Sequence, residues 1–460
     1  MLFPWLPPYL LGINGMDKEN HCVCYYEPSA LVSVLCISFN HEQYLRRTLD
    51  SIIMQDVDFK YEVLVHDDAS QDNSQSIISE YEERYPELIV SLKRIENVYS
   101  KGDRLSIWRF FVEHAQGEFI AFCEGDDYWL SKDKLKKQIA GLISKRECNI
   151  SFHPTTRLNT ETGVCLGSYG YIAEFDSKEV SFISPELASV FFIENTVHVS
   201  SVVMRRCSFI SFYQFFKKYP WIDASDYFIK LIGGASGALY IRDEMSVYRE
   251  NVPGSWTSAR ENNFNLKVAH CIKMLSVSQG ISSCFVTYNK NEIGRHHLLK
   301  YTLELHSLLH SAFAYSYLSE FYSIIKGAVS KAIMEFKSGN IIYFGAGTIF
   351  DALIGDETDI VNVIDKGAFL KLIKRHVLYS CELEEHSFNE TDVIVVTPIF
   401  RGHSICDSLL NKRGVKCKIV IVDDLLTLDL VNKSIFSSAK RFLIEHGYPR
   451  EDICLNINMK

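Results

Sequence analysis

Short apolar runs that stop on polar residues, each with an amphipathic stretch beside it, recur through the first third of the chain, and this rhythm constrains the fold most. Leu31 to Ser38 is β-branched and apolar, ends on Phe39-Asn40, and is followed by Tyr44, Leu45, Thr48, Leu49 and Ile52 at helical spacing. Glu62 to His66 breaks at Asp67-Asp68, and Ser74 opens a segment carrying Ile77, Ile78, Tyr81 and Tyr85 on one face. A helix through Leu105, Trp108, Val112 and Ala115 leads into the strand Phe119 to Cys123, which stops at Glu124. Strands alternating with helices predict an α/β fold with a mostly parallel sheet, whose ligands gather at the carboxyl ends of the strands.

Length and charge narrow the rest. A chain of 460 residues exceeds one hydrophobic core, so two or three domains are expected. A net charge of −9 argues against a nucleic-acid binder, which needs a basic surplus or face. The 13 cysteines are odd in number and irregularly spaced, which suits a reducing cytoplasm better than a disulfide framework. Cys22-Val23-Cys24 lacks a second pair at zinc-site spacing. The opening MLFPWLPPYLLGI is apolar, but its prolines and missing basic leader read poorly as a signal or a membrane span. Residues 1–28 are therefore expected to be a leader, with either Met1 or Met16 as the start. No run of about 18 uncharged apolar residues appears, so no spanning helix is expected.

Three blocks in order, LVSVLCISFNHEQYLRRTLDSI, EVLVHDDASQDNS and GEFIAFCEGDDYWLSKDKLKKQ, resemble glycosyltransferase family 2, which has the GT-A fold. The resemblance runs over about residues 31 to 258. It implies an inverting transferase that moves a sugar from a nucleotide-diphosphate donor, UDP-linked, to a glycan or lipid-linked acceptor. Bacterial surface-polysaccharide synthesis, in the cytoplasm or at the inner face of the membrane, is the implied setting. Peripheral membrane association and a homo-oligomer stay open.

The resemblance also assigns residues. Asp68 is expected to accept the imino hydrogen of a uracil-like base, with Phe39 and Asn40 on the donor side, while Asp67 or Asp68 could equally cap the next helix or shape its turn. Glu124-Gly125-Asp126-Asp127 stands at the family's DXD-like position, where a carboxylate-held divalent cation, Mn2+ or Mg2+, neutralises the leaving diphosphate. Asp127 is the expected metal ligand and Asp126 a ribose contact; Glu124 at the leading acid position departs from the commonest pattern. Tyr128-Trp129 is expected to pack beneath this loop, with Lys134, Lys137 and Gln138 on the following helix. Asp226 best matches the acceptor-side base and Asp223 is the alternative, with a helix cap as the plain reading of either. His198 to Met204 reads as a strand lining the acceptor side. Arg249 suits phosphate or a structural ion pair, and Gly254 to Thr257, with Trp256, resembles the closing block of related bacterial enzymes. Those enzymes often carry a histidine just after the Tyr-Arg pair; Glu250-Asn251 stands there instead.

Residues 263–337 read as a helical connector after a catalytic domain at 29–262. Leu318, Phe321, Tyr322, Ile325, Val329, Ile333 and Phe336 form a stripe that suits domain packing better than a membrane surface, and His306 and His310 read as surface histidines. Residues 338–460 read as a smaller Rossmann-like domain: strand Ile341 to Phe344, a turn at Gly345 and Gly347, and a strand ending at Asp365, with Phe350 in place of a third glycine. That pattern fits either a second nucleotide site at Gly345, Gly347 and Asp365 or a structural, partner-docking domain. Two rivals compete with the transferase. A nucleotidyltransferase would need a glycine-rich basic loop near the first strand, and Ser38-Phe39-Asn40-His41 is none. A catalytically silent sugar-nucleotide binder is disfavoured by intact Asp127 and Asp226.

Overall fold

The computed structural model describes residues 30–175, 177–194, 196–220, 222, 224–261, 263–283, 290–311 and 315–334, together with the segments 341–344, 362–365, 377–379, 393–396, 418–421 and 437–445. The chain divides into two compact units, residues 1–259 with 284–290 and residues 260–283 with 291–460.

In the first unit β1 (Val32–Ser38), β2 (Tyr61–Asp67), β3 (Ile89–Lys93) and β4 (Phe119–Phe122) are parallel neighbours, alternating with α1 (Glu42–Ile53), α2 (Ser74–Arg84) and α3 (Leu105–His114). β1 and β4 are buried almost throughout, as strands covered on both faces must be. α1 turns Leu45, Leu49 and Ile52 into the core beside Val34, Cys36, Val63 and Val65. Neither α1 nor α2 caps itself with its own N-cap side chain. The two helix starts satisfy each other instead. His41 N donates to Ser74 Oγ at 3.0 Å, Glu42 N to Asp72 Oδ2 at 3.0 Å, and Glu42 Oε2 accepts from Asn73 N and Nδ2, each at 2.8 Å.

Beyond β4 lie β5 (Tyr128–Trp129), α4 (Lys134–Ser144), β6 (Ile150–Phe152), β7 (Thr155–Asn159), β8 (Cys165–Tyr169), β9 (Val180–Ile183) and α5 (Pro185–Ile193). The unit continues through β10 (Val203–Arg205), α6 (Arg206–Lys218), α7 (Ser225–Gly233), β11 (Ala238–Ile241) and β12 (Ser246–Glu250) to α8 (Trp256–Glu261). They complete an eight-stranded sheet, order β3-β2-β1-β4-β10-β6-β11-β9, and a four-stranded one, β5-β12-β7-β8. Antiparallel β10 is inserted between β4 and β6, so the sheet is mixed. The segment read as one strand from His198 is a 3-10 turn, Val199–Ser201, and only then β10.

The second unit holds α9 (Phe264–Ser283), α10 (Lys290–Ser311) and α11 (Tyr315–Met334), then β13 (Ile341–Phe344), β14 (Asn362–Asp365), β15 (Val377–Tyr379), β16 (Val393–Val396) and β17 (Lys418–Ile421), and α12 (Ser437–Glu445). Its five described strands are all parallel in the order β15-β14-β13-β16-β17, so the connection reverses direction at β13, as in a Rossmann-like half. Leu318, Phe321, Ile325 and Val329 of the apolar stripe are buried, and Tyr317 packs edge-on against Phe442 of α12 at 5.2 Å. His306 is buried rather than on the surface: its Nε2 lies 2.8 Å from Tyr322 Oη, a partner that its helical spacing could not reveal. Among the described residues no helix is long and apolar enough to cross a membrane.

Candidate active site

The carboxyl ends of β1, β2 and β4 lie side by side, so their polar residues form one cluster of loops. Asn40 and Ala69 both adopt left-handed backbone, φ 56° and 64°, which swings the chain sharply off each strand. Asn40 ties the two turns together: its N donates to Ser70 Oγ at 2.9 Å and its Oδ1 accepts from Gln71 N at 2.8 Å. Asp67 accepts from Ser70 N at 3.0 Å, Ser70 Oγ at 2.5 Å and Gln75 Nε2 at 2.8 Å. Asp68, also buried, accepts from Val98 N at 2.8 Å and Tyr99 N at 3.0 Å. Both aspartates thus shape loops around the strand ends. Phe39 is 40% exposed, on the open side of this cluster rather than in the core.

The acidic loop after β4 is gathered by one helix hydroxyl. Thr48 Oγ1 lies 2.5 Å from the Asp127 carbonyl and 2.9 Å from that of Gly125. Only glycine fits at 125, because a Cβ there would stand 2.7 Å from His41 Nδ1 and 3.0 Å from the Ile37 carbonyl. Asp127 is completely buried; its Oδ2 accepts from Ser200 Oγ at 2.7 Å and its Oδ1 from Arg249 N at 3.1 Å. Burial, and then the charges of Asp126 and Glu124, hold its carboxyl well above the usual range. Desolvation, Asp126 and Asp226 push Glu124 up to about 8. Arg249 does not reach out to solvent: its guanidinium donates to the Asp126 carbonyl and lies 4.5 Å from the Tyr128 ring centre. Tyr128 and Trp129 are both buried beneath the loop.

His198 completes the cluster. Its Nδ1 is 3.6 Å from Asp127 Oδ2 and its Nε2 3.9 Å from Glu124 Oε2, while its ring stacks on Tyr248 at 4.3 Å. Glu124, Asp127 and His198 each offer a ligand atom within 4.8 Å of the others. Burial, with Lys230 nearby, lowers the imidazole to about 3, so the ring is neutral, and its Nδ1 accepts from Ser200 N at 3.3 Å. Lys230 is buried as well, donating to the Val197 carbonyl at 2.7 Å. Asp226 sits in the first turn of α7 with its side chain 44% exposed, 3.9 Å from Lys230. The cap position of that helix belongs to Ala224, not to an acid.

Residues 33–162 match the family described as glycosyl transferase family 2. This segment is a family 2 glycosyltransferase domain. Its parallel-rich sheet has the GT-A arrangement that membership implies. An uncharacterized protein of Mycobacterium tuberculosis is 31% identical over 233 residues, 50% of this chain and 61% of that one. A putative teichuronic acid biosynthesis glycosyltransferase of Bacillus subtilis, TuaG, is 34% identical over 122 residues, 26% of this chain and 45% of its own. The chain therefore spans less than two thirds of either relative. The crystal structure of S. aureus TarS 1–349 with UDP-GlcNAc aligns at a TM-score of 0.42 and 17% identity, covering 60% of this chain and 73% of that one.

Of the residues singled out in the sequence, Asp223, Phe336, Gly345, Gly347 and Phe350 lie outside the described residues, as do the leader 1–28 and the side chains of Trp256, His310, Ile333 and Asp365. Asp365 ends β14, at a carboxyl strand end. His198 and Ser200 were missed as partners of the acidic loop. They lie some seventy residues away from it, on a turn that valine-rich sequence disguises as strand, so no local spacing could have found them.

Proposed function

We propose that the family 2 domain is an inverting glycosyltransferase using a divalent cation and a UDP-linked sugar, with a glycan or lipid-linked acceptor of surface-polysaccharide synthesis. The observation that carries this reading is the meeting of Glu124, Asp127 and His198 at the carboxyl end of β4. Their chemistry fits a cation. Among the described residues only a hydroxyl and one backbone N–H donate to the buried Asp127 carboxylate, which stands among like charges, and two carboxylates with a neutral imidazole suit Mn2+ or Mg2+. When bound there, such an ion supplies positive charge for the leaving diphosphate. Asp126 beside it is the proposed ribose contact. The nucleotide base lies against the loops of β1 and β2, where Phe39 is exposed and each oxygen of Asp68 retains a second acceptor direction for an imino N–H.

Asp226 is the proposed base. Its exposed carboxylate takes the proton from the acceptor hydroxyl as that oxygen attacks the anomeric carbon opposite the departing nucleotide, and Lys230 holds it from one turn below. We assign catalysis to residues 29–262, a helical connector to 263–337 and a Rossmann-like domain to 338–460, with the protein acting in the cytoplasm or at the inner membrane face. The test is a panel of nucleotide sugars scored for hydrolysis and transfer, with Mn2+ and with chelator. Turnover of a UDP-sugar that chelator abolishes supports the reading. Donor binding without turnover would favour a silent sensor, and undiminished turnover in chelator would remove the cation.

A further inference from the structure

The helix after the acidic loop carries a buried polar post that the mechanism does not use. Lys134, in the first turn of α4, is completely buried, and its Nζ donates to Gln138 Oε1 at 2.7 Å while standing 4.3 Å over the Trp129 ring. No carboxylate is among these contacts, and burial lowers the ammonium to about 7. The Ser201 carbonyl can only accept and the Lys134 amine donates in either protonation state, so the Gln138 amide presents its oxygen to Lys134 and its NH2 to the other side. On that side Gln138 Nε2 lies 2.8 Å from the Ser201 carbonyl and 3.1 Å from Ser151 Oγ. Trp129 Nε1 meanwhile donates to the Ser200 carbonyl at 3.2 Å. Two successive carbonyls of the 199–201 turn are thus fixed from α4 and β5. That turn delivers His198 to Glu124 and Asp127, and Ser200 Oγ to Asp127.

We propose that Lys134 and Gln138 are positioning residues: Lys134 sets the orientation of the Gln138 amide, and Gln138 with Trp129 holds the 199–201 turn so that His198 and Ser200 face the acidic loop. The inference rests on the cation reading for its functional consequence but on the hydrogen bonds alone for its geometry, and the two are tested separately. Hydrogen exchange of the Ser201 and Val202 amides, whose bonds close the turn onto the carbonyls of His198 and Val199, reads the geometry without metal. Mn2+ affinity, read from the paramagnetic resonance of the free ion, reports the consequence.

Gln138→Leu removes the donor, and Gln138→Glu keeps size and the acceptor for Lys134 while losing the N–H; Lys134→Met removes what orients the amide. On the full chain, both Gln138 variants should exchange these two amides about tenfold faster and bind Mn2+ about tenfold more weakly, with Lys134→Met in the same direction. Ile139→Ala, a core truncation in the same helix, should lower the melting temperature yet leave exchange at the turn and Mn2+ affinity of the folded protein unchanged. Unchanged exchange in folded Gln138→Leu and Gln138→Glu overturns the proposal. Faster exchange in a protein whose parent form binds no Mn2+ upholds the post and removes the cation reading instead.

Discussion

Two groups of carboxylates stand at the ends of the strands on either side of β1, and they are satisfied in opposite ways. Asp67 and Asp68 at the end of β2 accept five hydrogen bonds between them, all from neighbouring loop or helix groups. Asp127, after β4, is as deeply buried but among the described residues accepts hydrogen bonds only from Ser200 Oγ and Arg249 N, with Asp126 and Glu124 adding like charge. Matching burial with such different compensation separates carboxylates that build the loops from carboxylates that hold charge for something outside the chain.

The comparison breaks most visibly at Asp127. Asp127→Ala should lower transfer by about a thousandfold, roughly 4 kcal/mol of transition-state stabilisation, while the protein stays folded. Steady-state rates with saturating Mn2+ check this, and a loss below tenfold would return Asp127 to the loop-building class. Asp226→Asn should cut transfer by about a hundredfold, the scale of a general base, and leave donor affinity as it was. Comparing donor Kd with turnover separates the two effects; a nearly silent Asp226→Asn beside a disabled Asp223→Asn would move the base to Asp223.

At β2 the expected damage is to stability. Asp67→Ala leaves Ser70 N and Gln75 without their acceptor and should cost about 2 kcal/mol, read from urea unfolding, with activity falling only as folded protein is lost. An active-site loss at full stability would contradict the division drawn here. Ala69→Gly relieves the left-handed residue beside it, φ 64°, and should stabilise the same turn by about 0.5–1 kcal/mol, with rates unaltered. A destabilised Ala69→Gly would mean that the methyl packs, buried as it is, more strongly than the backbone strains.

How much of this was legible in sequence follows from where each interaction comes from. β1, β2 and β4 with their polar ends are local patterns of residue type, and they appear where the apolar runs place them. The acidic loop is legible for the same reason, since strand end and carboxylates are contiguous. Asp68 was expected to face a nucleotide base; that its oxygens also accept from the backbone of Val98 and Tyr99, thirty residues on, is something no side-chain pattern betrays. The 199–201 turn was hidden by its valines: a His198 side-chain cap on Ser200 N holds it locally, and Trp129 and Gln138 bond it from far along the chain. Lys134 shows the converse. A lysine in a helix reads as solvated, yet this one is buried over an indole.

The central claim is that the Asp127 cluster carries uncompensated charge for a cation. The raised folded pKa of Asp127, against an unfolded value near 3.9, means that stability is lost as pH rises through the folded value and is regained as pH falls. Glu124, raised as well, acts in the same direction but more weakly, because its side chain is 47% exposed and solvent screens it. Thermal melting of the parent and Asp127→Asn at pH 8, in chelator and then in excess Mn2+, tests this directly. The account predicts that Asp127→Asn melts above the parent in chelator, that Mn2+ raises the parent, and that Mn2+ moves the variant little. A parent indifferent to Mn2+, together with an Asp127→Asn that melts below it in chelator, would contradict the claim.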